Sequence, residues 1–269
     1  MSTENNPTAL ITGATSGIGA AYAQRLAEQG YNLIITGRRE EKINSIAATL
    51  RNTYHVDVEV IIIELSQADE VDQFLEEIRG RNIDILINNA GFGTTKFFYR
   101  EPLELQEKMV ATHILAAMKL TYAILPDMIE KGSGAIIYVS SSGAFLATPD
   151  TATYSGTKAF LRAFTESLHL ELMPSGVKVQ VVCPGLTKTD MHLRLGIPEE
   201  NTVDSGIMRW ITPEKVVDDS LRCLQKNRVV CIPGWLTRLQ VFMRNMLPAS
   251  FYYRSAYYIF KKYQWIRDE

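Results

Sequence analysis

Along the chain, short apolar runs alternate with longer stretches whose apolar residues recur every three or four positions. Runs at 8–12, 31–36, 58–63, 83–87, 135–139 and 229–232, with a further one ending at Pro184, read as strands bounded by glycine, asparagine and serine. Between the first two, Ala20, Ala23, Leu26 and Ala27 share one helical face that Gly30 stops. Residues 40–53, an amphipathic stretch to about Arg81, 103–130 and 214–225 carry the same helical spacing. Strands that alternate with helices predict parallel pairing through crossover helices, hence an α/β fold with a doubly wound parallel sheet of about seven strands and helices on both faces. One domain over 8–235 follows, preceded by a polar, disordered segment at 1–7. The periodicity lapses between 188 and 212, where Met191, Leu193, Leu195, Ile197, Met208 and Trp210 lie, and such a segment is a candidate substrate lid.

Beyond 235 the pattern changes again. Leu236, Leu239, Phe242, Met243 and Met246 fall at helical spacing, Pro248 interrupts, and 251–265 is crowded with aromatic and basic residues. The segment 236–269 is therefore expected to form an amphipathic helical extension of the same domain. Residues 234–269 hold six Lys/Arg and two Asp/Glu, so the tail is +4 on a chain of net charge -2. Packing on the protein or its oligomer is the favoured reading of this segment, with peripheral contact to an anionic membrane surface as the other.

The first strand runs into Gly13-Ala14-Thr15-Ser16-Gly17-Ile18-Gly19, and a helix follows at once. Glycines let a backbone approach a ligand, and the helix N-terminus supplies N–H donors, which is what a dinucleotide pyrophosphate needs; this makes the fold Rossmann-like. The spacing is GxxxGxG rather than GxGxxG, and close strand–helix packing is the plain alternative. The second strand ends in Gly37-Arg38-Arg39, with no acid before Glu40. A carboxylate there would hold a ribose 2′-hydroxyl, whereas a guanidinium favours a 2′-phosphate, so NADP(H) is expected, with Arg38 as the leading ligand and Arg39 beside it. Otherwise both arginines simply open the next helix. At the end of the fourth strand, Asn88 and Asn89 either tie strands together or meet the cofactor, while Ala90 and Gly91 leave room for a flat ligand. Finally, Tyr154 and Lys158 stand one helical turn apart. A cation stabilises a phenolate, so this pair suits general acid/base work near neutral pH, although a packed tyrosine beside a solvated lysine has the same spacing.

With these motifs in order, the chain resembles the short-chain dehydrogenase/reductase family from residue 8 to about 235. TGxxxGxG matches 12–19, NNAG matches 88–91, a serine thirteen positions before the tyrosine matches Ser141, YxxxK matches 154–158, and a Pro-Gly pair matches Pro184-Gly185. The resemblance implies that Tyr154 exchanges a proton with a carbonyl or alcohol oxygen and that Lys158 holds the nicotinamide ribose and keeps Tyr154 acidic. Ser141 would orient the substrate oxygen, with Ser140 and Ser142 as competitors. It further implies a cofactor site of Gly13, Thr15, Ser16, Gly17, Ile18, Gly19, Arg38, Arg39, Glu64, Leu65, Asn89, Ala90, Gly91, Tyr154, Lys158, Pro184 and Gly185, with Thr187 at the carboxamide. Two positions depart from the family pattern. Glu64 stands where many members place an aspartate for the adenine amino group. His113 stands at the usual asparagine that holds a water linking the lysine to solvent, so it is either a relay residue or a helix histidine satisfied by its neighbours.

Composition narrows the rest. At 269 residues and 46% hydrophobic, the chain can bury one large core, and its slight negative charge argues against a general nucleic-acid binder. Cys183, Cys223 and Cys231 show no ligand spacing, so no metal site is expected, and free thiols point to the cytoplasm; Cys183 reads as a buried strand-end thiol. The polar start reads as no signal peptide, and no apolar run reads as long enough to span a bilayer. The leading expectation is an NADP(H)-dependent oxidoreductase for a hydroxyl/ketone pair on a bulky hydrophobic molecule, a steroid or a fatty-acyl ketone, assembled as a homodimer or homotetramer. The alternative is a cofactor-binding regulatory or membrane-surface module with reduced catalysis.

Overall fold

The computed structural model of the chain describes residues 6–94, 96–191 and 209–262. Its strands are β1 (Thr8–Ile11), β2 (Asn32–Gly37), β3 (Val58–Ile62), β4 (Ile85–Asn88), β5 (Gly134–Val139), β6 (Val177–Val182) and β7 (Val230–Cys231). All pair in parallel in one sheet of order β3-β2-β1-β4-β5-β6-β7, as the alternating pattern required. The central strands β1, β2, β4 and β5 are apolar on both faces because each face meets helices, whereas the edge strand β3 exposes Glu59 and Ile62. Ala9 and Ile11 of β1, Leu33 and Ile35 of β2, and Ile85 and Ile87 of β4 face one core, where α1 (Gly17–Glu28), α2 (Glu40–Tyr54) and α7 (Pro213–Gln225) pack. The intervening Leu10, Ile34 and Leu86 face the other, beneath α3 (Ala68–Ile78), α5 (Ala116–Lys131) and α6 (Ala152–Leu172).

The chain winds outward from β1 to β3 and then returns to lay β4 beside β1. The strand order reverses there, and the crevice beyond the C-terminal ends of β1 and β4 is the place where open α/β sheets bind ligands. Every motif singled out above lies at that end of the sheet.

Three sequence expectations need correction. The helix expected over 103–130 is α4 (Leu103–Val110), a π turn (Ala111–Leu115) and α5 in continuous succession. That run, Leu103–Lys131, does have the length and apolar composition of a membrane span, contrary to the reading that none exists. Leu120, Ile124 and Met128 on it are buried in the core, so its hydropathy is that of a core helix. The tail forms α8 (Trp235–Met246) and α9 (Ala249–Lys262), as its spacing suggested, but the favoured packing of its apolar stripe on the protein body is not seen. Only Val241 of α8 is buried, while Leu239, Phe242, Met243 and Met246 are exposed.

The segment expected as a lid leaves and returns at one point. Lys188 N–H donates to Ile211 O (3.0 Å) and Ile211 N–H donates to Leu186 O (3.0 Å). Leu193, Leu195, Ile197 and Met208 lie outside the described residues, as do residues 1–5 of the expected disordered segment.

Candidate active site

The glycine-rich turn is shaped by β1 and β4 together. Thr12 Oγ1 accepts the backbone N–H groups of Asn89 (3.0 Å) and Ala90 (3.1 Å), and the Asn89 amide donates to Thr12 O (2.9 Å) and Gly13 O (3.0 Å). Asn89 thus acts as a strand tie whose side chain also fixes the turn. Asn88 donates to Thr121 (3.4 Å), while its Oδ1 has no partner among the described residues. Gly13 has φ +69, and a Cβ there would lie 2.8 Å from Ala90 Cα, so the residue must be glycine for the two strand ends to approach. The cradle so formed opens onto the N-terminus of α1, whose N-cap is Ser16.

Beside this cradle lie three cations. Arg39 donates to Thr15 Oγ1 (2.7 Å) and Ser16 Oγ (2.8 Å), and pairs with Asp190 (3.2 Å), which Lys42 also holds (2.7 Å). Arg38 pairs instead with Glu64 (2.7 Å). Arg39 is therefore the guanidinium seated on the glycine-rich turn, while Arg38 stands on Glu64. Burial opposes ionisation of Glu64, yet the hydrogen bonds from Arg38 and Ser66 hold its carboxyl below the usual range. Its Oε1 takes Ser66 N–H (3.1 Å) and Ser66 Oγ–H (2.9 Å), so both oxygens are engaged within the chain, and an adenine amino group would have to share them. Lys42 first, then Arg39, hold Asp190 below the usual carboxylate range against burial. Lys42 and Asp190 were missed in the sequence; the i+3 spacing of Arg39 and Lys42 at the start of α2 was the available signal for the first. The donor set and the glycine cradle fit a dinucleotide phosphate end.

At the other end of the crevice stand Ser141, Tyr154 and Lys158. Ser141 follows β5 and caps a single 3-10 turn, its Oγ accepting Gly143 N–H (3.1 Å), and a Cβ on Gly143 would meet both Ser141 Oγ (3.4 Å) and the Tyr154 ring (3.6 Å), so the two side chains converge there. Its competitors are placed elsewhere: Ser140 is buried and donates to Lys158 O (2.8 Å), and Ser142 N–H donates to Pro184 O (2.7 Å). Lys158 is 4% exposed, donates to Val139 O (2.9 Å) and lies 5.6 Å from the Tyr154 ring centroid.

Burial dominates the electrostatics of this group. Burial raises the Tyr154 pKa, the Ser141 hydrogen bond pulls it down, and the neighbouring Cys183 pushes it up, with a net upward shift. Burial comes first among these causes because removing a phenolate from water is costly. Burial lowers the Lys158 pKa to about 8. Cys183 sits behind both, pushed up to about 12 by burial, so it remains a thiol and is no nucleophile.

Of the two readings of His113, the geometry matches the histidine satisfied by its neighbours. Its Nε2 accepts Phe92 N–H (3.0 Å) and its Nδ1 lies 2.8 Å from Thr157 Oγ1. Since Nε2 must offer a lone pair, the proton sits on Nδ1 and is donated to Thr157, whose hydroxyl in turn donates to Tyr154 O (2.7 Å). With both nitrogens committed to protein, the ring has no atom left for a relay water. It is 2% exposed, and burial first, then the Lys158 charge, drive its pKa well below the ordinary value, against the pull of the Phe92 hydrogen bond. The π turn adds the residue that lets His113 point inward, and a Cβ on Gly91 would sit 2.7 Å from its Nε2. His113 ties the strand-end loop to the helix that carries Tyr154, and the rings of His113 and Tyr154 meet edge-on at 6.0 Å.

Pro184 and Gly185 line the crevice beyond β6, with α8 close behind, since a Cβ on Gly185 would meet Thr237 Oγ1 at 2.5 Å. Thr187 is buried, donates to Gly185 O (3.0 Å) and bridges Ile211. Leu65 is buried at the foot of the crevice.

Comparison with known proteins agrees with this geometry. The short chain dehydrogenase family profile matches residues 7–199. The human very-long-chain 3-oxoacyl-CoA reductase is 32% identical over 257 residues, covering 92% of this chain and 82% of that protein. The rat inactive hydroxysteroid dehydrogenase-like protein 1 is 36% identical over 179 residues, 65% of this chain and 54% of that protein. The chain spans little more than half the length of several such relatives. A short-chain dehydrogenase from Sphingobium yanoikuyae, solved with NADPH, superposes with a TM-score of 0.79 at 33% identity, covering 85% of this chain and 88% of that one. Sheet order, motif positions and these matches together make the chain a member of the short-chain dehydrogenase family of oxidoreductases.

Proposed function

We propose that the chain interconverts a ketone and a secondary alcohol on a hydrophobic molecule of acyl-chain or hydroxysteroid type, with NADP(H) as cofactor. The observation that carries this reading is the convergence of Ser141 Oγ and the Tyr154 ring at Gly143, with the buried Lys158 ammonium beside the ring and the glycine cradle across the crevice. The bound dinucleotide supplies or accepts the hydride. Gly13 through Gly19 and the α1 N-terminus receive its pyrophosphate, and Arg38, Arg39 and Lys42 the 2′-phosphate. Asn89, Ala90 and Gly91 flank the adenosine side, Lys158 and Tyr154 hold the nicotinamide ribose, and Thr187 meets the carboxamide.

In the reductive direction Ser141 Oγ–H and Tyr154 O–H both address the substrate carbonyl oxygen. As charge develops on that oxygen, the phenolic O–H bond breaks and the new O–H bond forms. The raised pKa keeps Tyr154 protonated through the neutral range, the form that gives a proton. Lys158, with its pKa near 8, is mostly an ammonium at pH 7 and stabilises the phenolate left behind.

NADP(H) is favoured because three cations meet only the two carboxylates of Glu64 and Asp190 at the end of β2, and because a phosphate accepts charge-assisted hydrogen bonds from guanidinium groups. The human relative's name supports an acyl-chain substrate. A cofactor-binding module with reduced catalysis takes its support from the relative named inactive; the assembly of Ser141, Tyr154 and Lys158 in one site favours the enzyme. Exposed Leu115, Met118 and Tyr122 on the π turn and α5 and Leu170 and Met173 at the end of α6 support a homo-oligomer, and three free cysteines a cytoplasmic setting.

The test is a spectrophotometric screen of NADPH oxidation with 3-oxoacyl thioesters, ketosteroids and small ketones. Turnover is expected with the bulky substrates and weaker turnover with the small ones. NADPH binding without turnover of any of them would favour the module reading.

A further inference from the structure

The two C-terminal helices carry an apolar face that the other described residues leave open. On α8, Trp235, Leu239, Phe242 and Met246 recur at helical spacing and are exposed, Trp235 to 68%, Phe242 to 62% and Met246 to 71%. On α9, Phe251, Tyr253, Tyr257 and Tyr258 are exposed while Tyr252 turns inward. The helices are joined through Arg244, whose guanidinium lies over the rings of Tyr252 (4.3 Å) and Tyr253 (5.8 Å). Single exposed apolar residues are ordinary, but rows of them along two successive helices mark a surface that meets a partner.

Charge identifies the partner. Residues 235–262 contain Arg238, Arg244, Arg254, Lys261 and Lys262 and no Asp or Glu. A two-fold interface between copies through α8 and α9 would set cations against cations, with no Asp or Glu on either helix to pair them. An anionic lipid surface supplies the complementary charge, and tryptophan, tyrosine and arginine beside long apolar side chains are what the headgroup boundary accepts. We propose that α8 and α9 form a docking surface for an anionic bilayer.

The surface adjoins the site. Tyr252 O–H donates to Ala147 O (2.9 Å) in the loop that follows Ser141, and Thr237 of α8 abuts Gly185 in the loop after β6. Docking would therefore bring the mouth of the crevice to the membrane, where a hydrophobic ketone is concentrated; this consequence rests on the proposed substrate class, whereas docking itself does not.

The experiment is flotation of the full chain with phosphatidylcholine vesicles, with and without phosphatidylglycerol, at low and high salt. Binding is expected only with the anionic lipid at low salt. Each surface cation contributes about 1 kcal/mol near such a membrane, so Arg238→Gln with Arg254→Gln should lower the partition coefficient by about 25-fold. Phe242→Ser with Met246→Ser should lower it as well, with NADPH affinity and the urea midpoint unchanged in both double variants. Absence of flotation, flotation equal on neutral vesicles, or insensitivity to the arginine changes would overturn the proposal. So would light scattering that shows the Phe242→Ser, Met246→Ser chain dissociating from a larger assembly while vesicles leave the unmodified chain unbound. A failed substrate screen with intact flotation would remove only the substrate assignment.

Discussion

The two ends of the cofactor crevice hold their charges in opposite ways. At the phosphate end, the side chains of Arg38, Arg39 and Lys42 remain 57%, 39% and 44% exposed, each paired with a carboxylate. Such ion pairs contribute about 0–1 kcal/mol, so exchanging a carboxylate for a ligand phosphate costs little. At the hydroxyl end, Lys158 is buried and its pKa falls to about 8, while burial lifts that of Tyr154. Under the proposed function the difference would separate two tasks: an exchangeable grip needs solvated charge, and proton transfer needs desolvated groups whose protonation states burial has already set.

The comparison can be broken at either end. Tyr154→Phe removes only the proton donor and should lower kcat by about 10²–10⁴-fold while leaving the NADPH dissociation constant nearly unchanged by fluorescence titration. Retention of most turnover would end the assignment of Tyr154. Arg39→Ala removes the grip seated on Thr15 and Ser16, and charge-assisted hydrogen bonds contribute about 1.5–3 kcal/mol. The expected loss in kcat/KM is about 10–100-fold with NADPH and small with NADH, and larger than for Arg38→Ala. Equal losses with both cofactors would show that Arg39 shapes the turn without reading the phosphate.

A third measurement sharpens the electrostatic half of the comparison. In the unfolded chain His113 takes up a proton near its ordinary value of about 6.5, whereas in the folded chain burial keeps it neutral well below that. Its contribution to stability is therefore complete above pH ~6.5 and is lost as pH falls below it, at up to about 1.4 kcal/mol per pH unit. Urea midpoints between pH 6.5 and 5 should fall less steeply in His113→Asn, and the acid limb of kcat should keep its shape. A histidine-like acid limb that this substitution abolishes would return His113 to the proton relay.

Much of this protein was readable from local pattern. The strands are legible because a parallel sheet buried on both faces demands continuous apolar runs, and their ends deviate by only a residue or so, as with β2 at Asn32–Gly37. The glycine-rich turn and the Tyr154–Lys158 spacing are legible because each motif is formed within a single strand–turn–helix or one helical turn. The long helix was read across the π turn because a one-residue insertion barely disturbs apolar periodicity.

By itself, the sequence determined the fold, the order of its elements, the nucleotide cradle and the residues that meet at the hydroxyl end, all of them consequences of short-range periodicity and backbone sterics. Tertiary structure alone decided that Arg39 rather than Arg38 sits on the cradle, that Asp190 joins it from 151 residues away, and that His113 spends both nitrogens on Phe92 and Thr157. It also decided the direction of the Tyr154 shift and the open face of the tail. Those features depend on desolvation and on contacts between distant segments, and neither is encoded in the spacing of neighbouring residues.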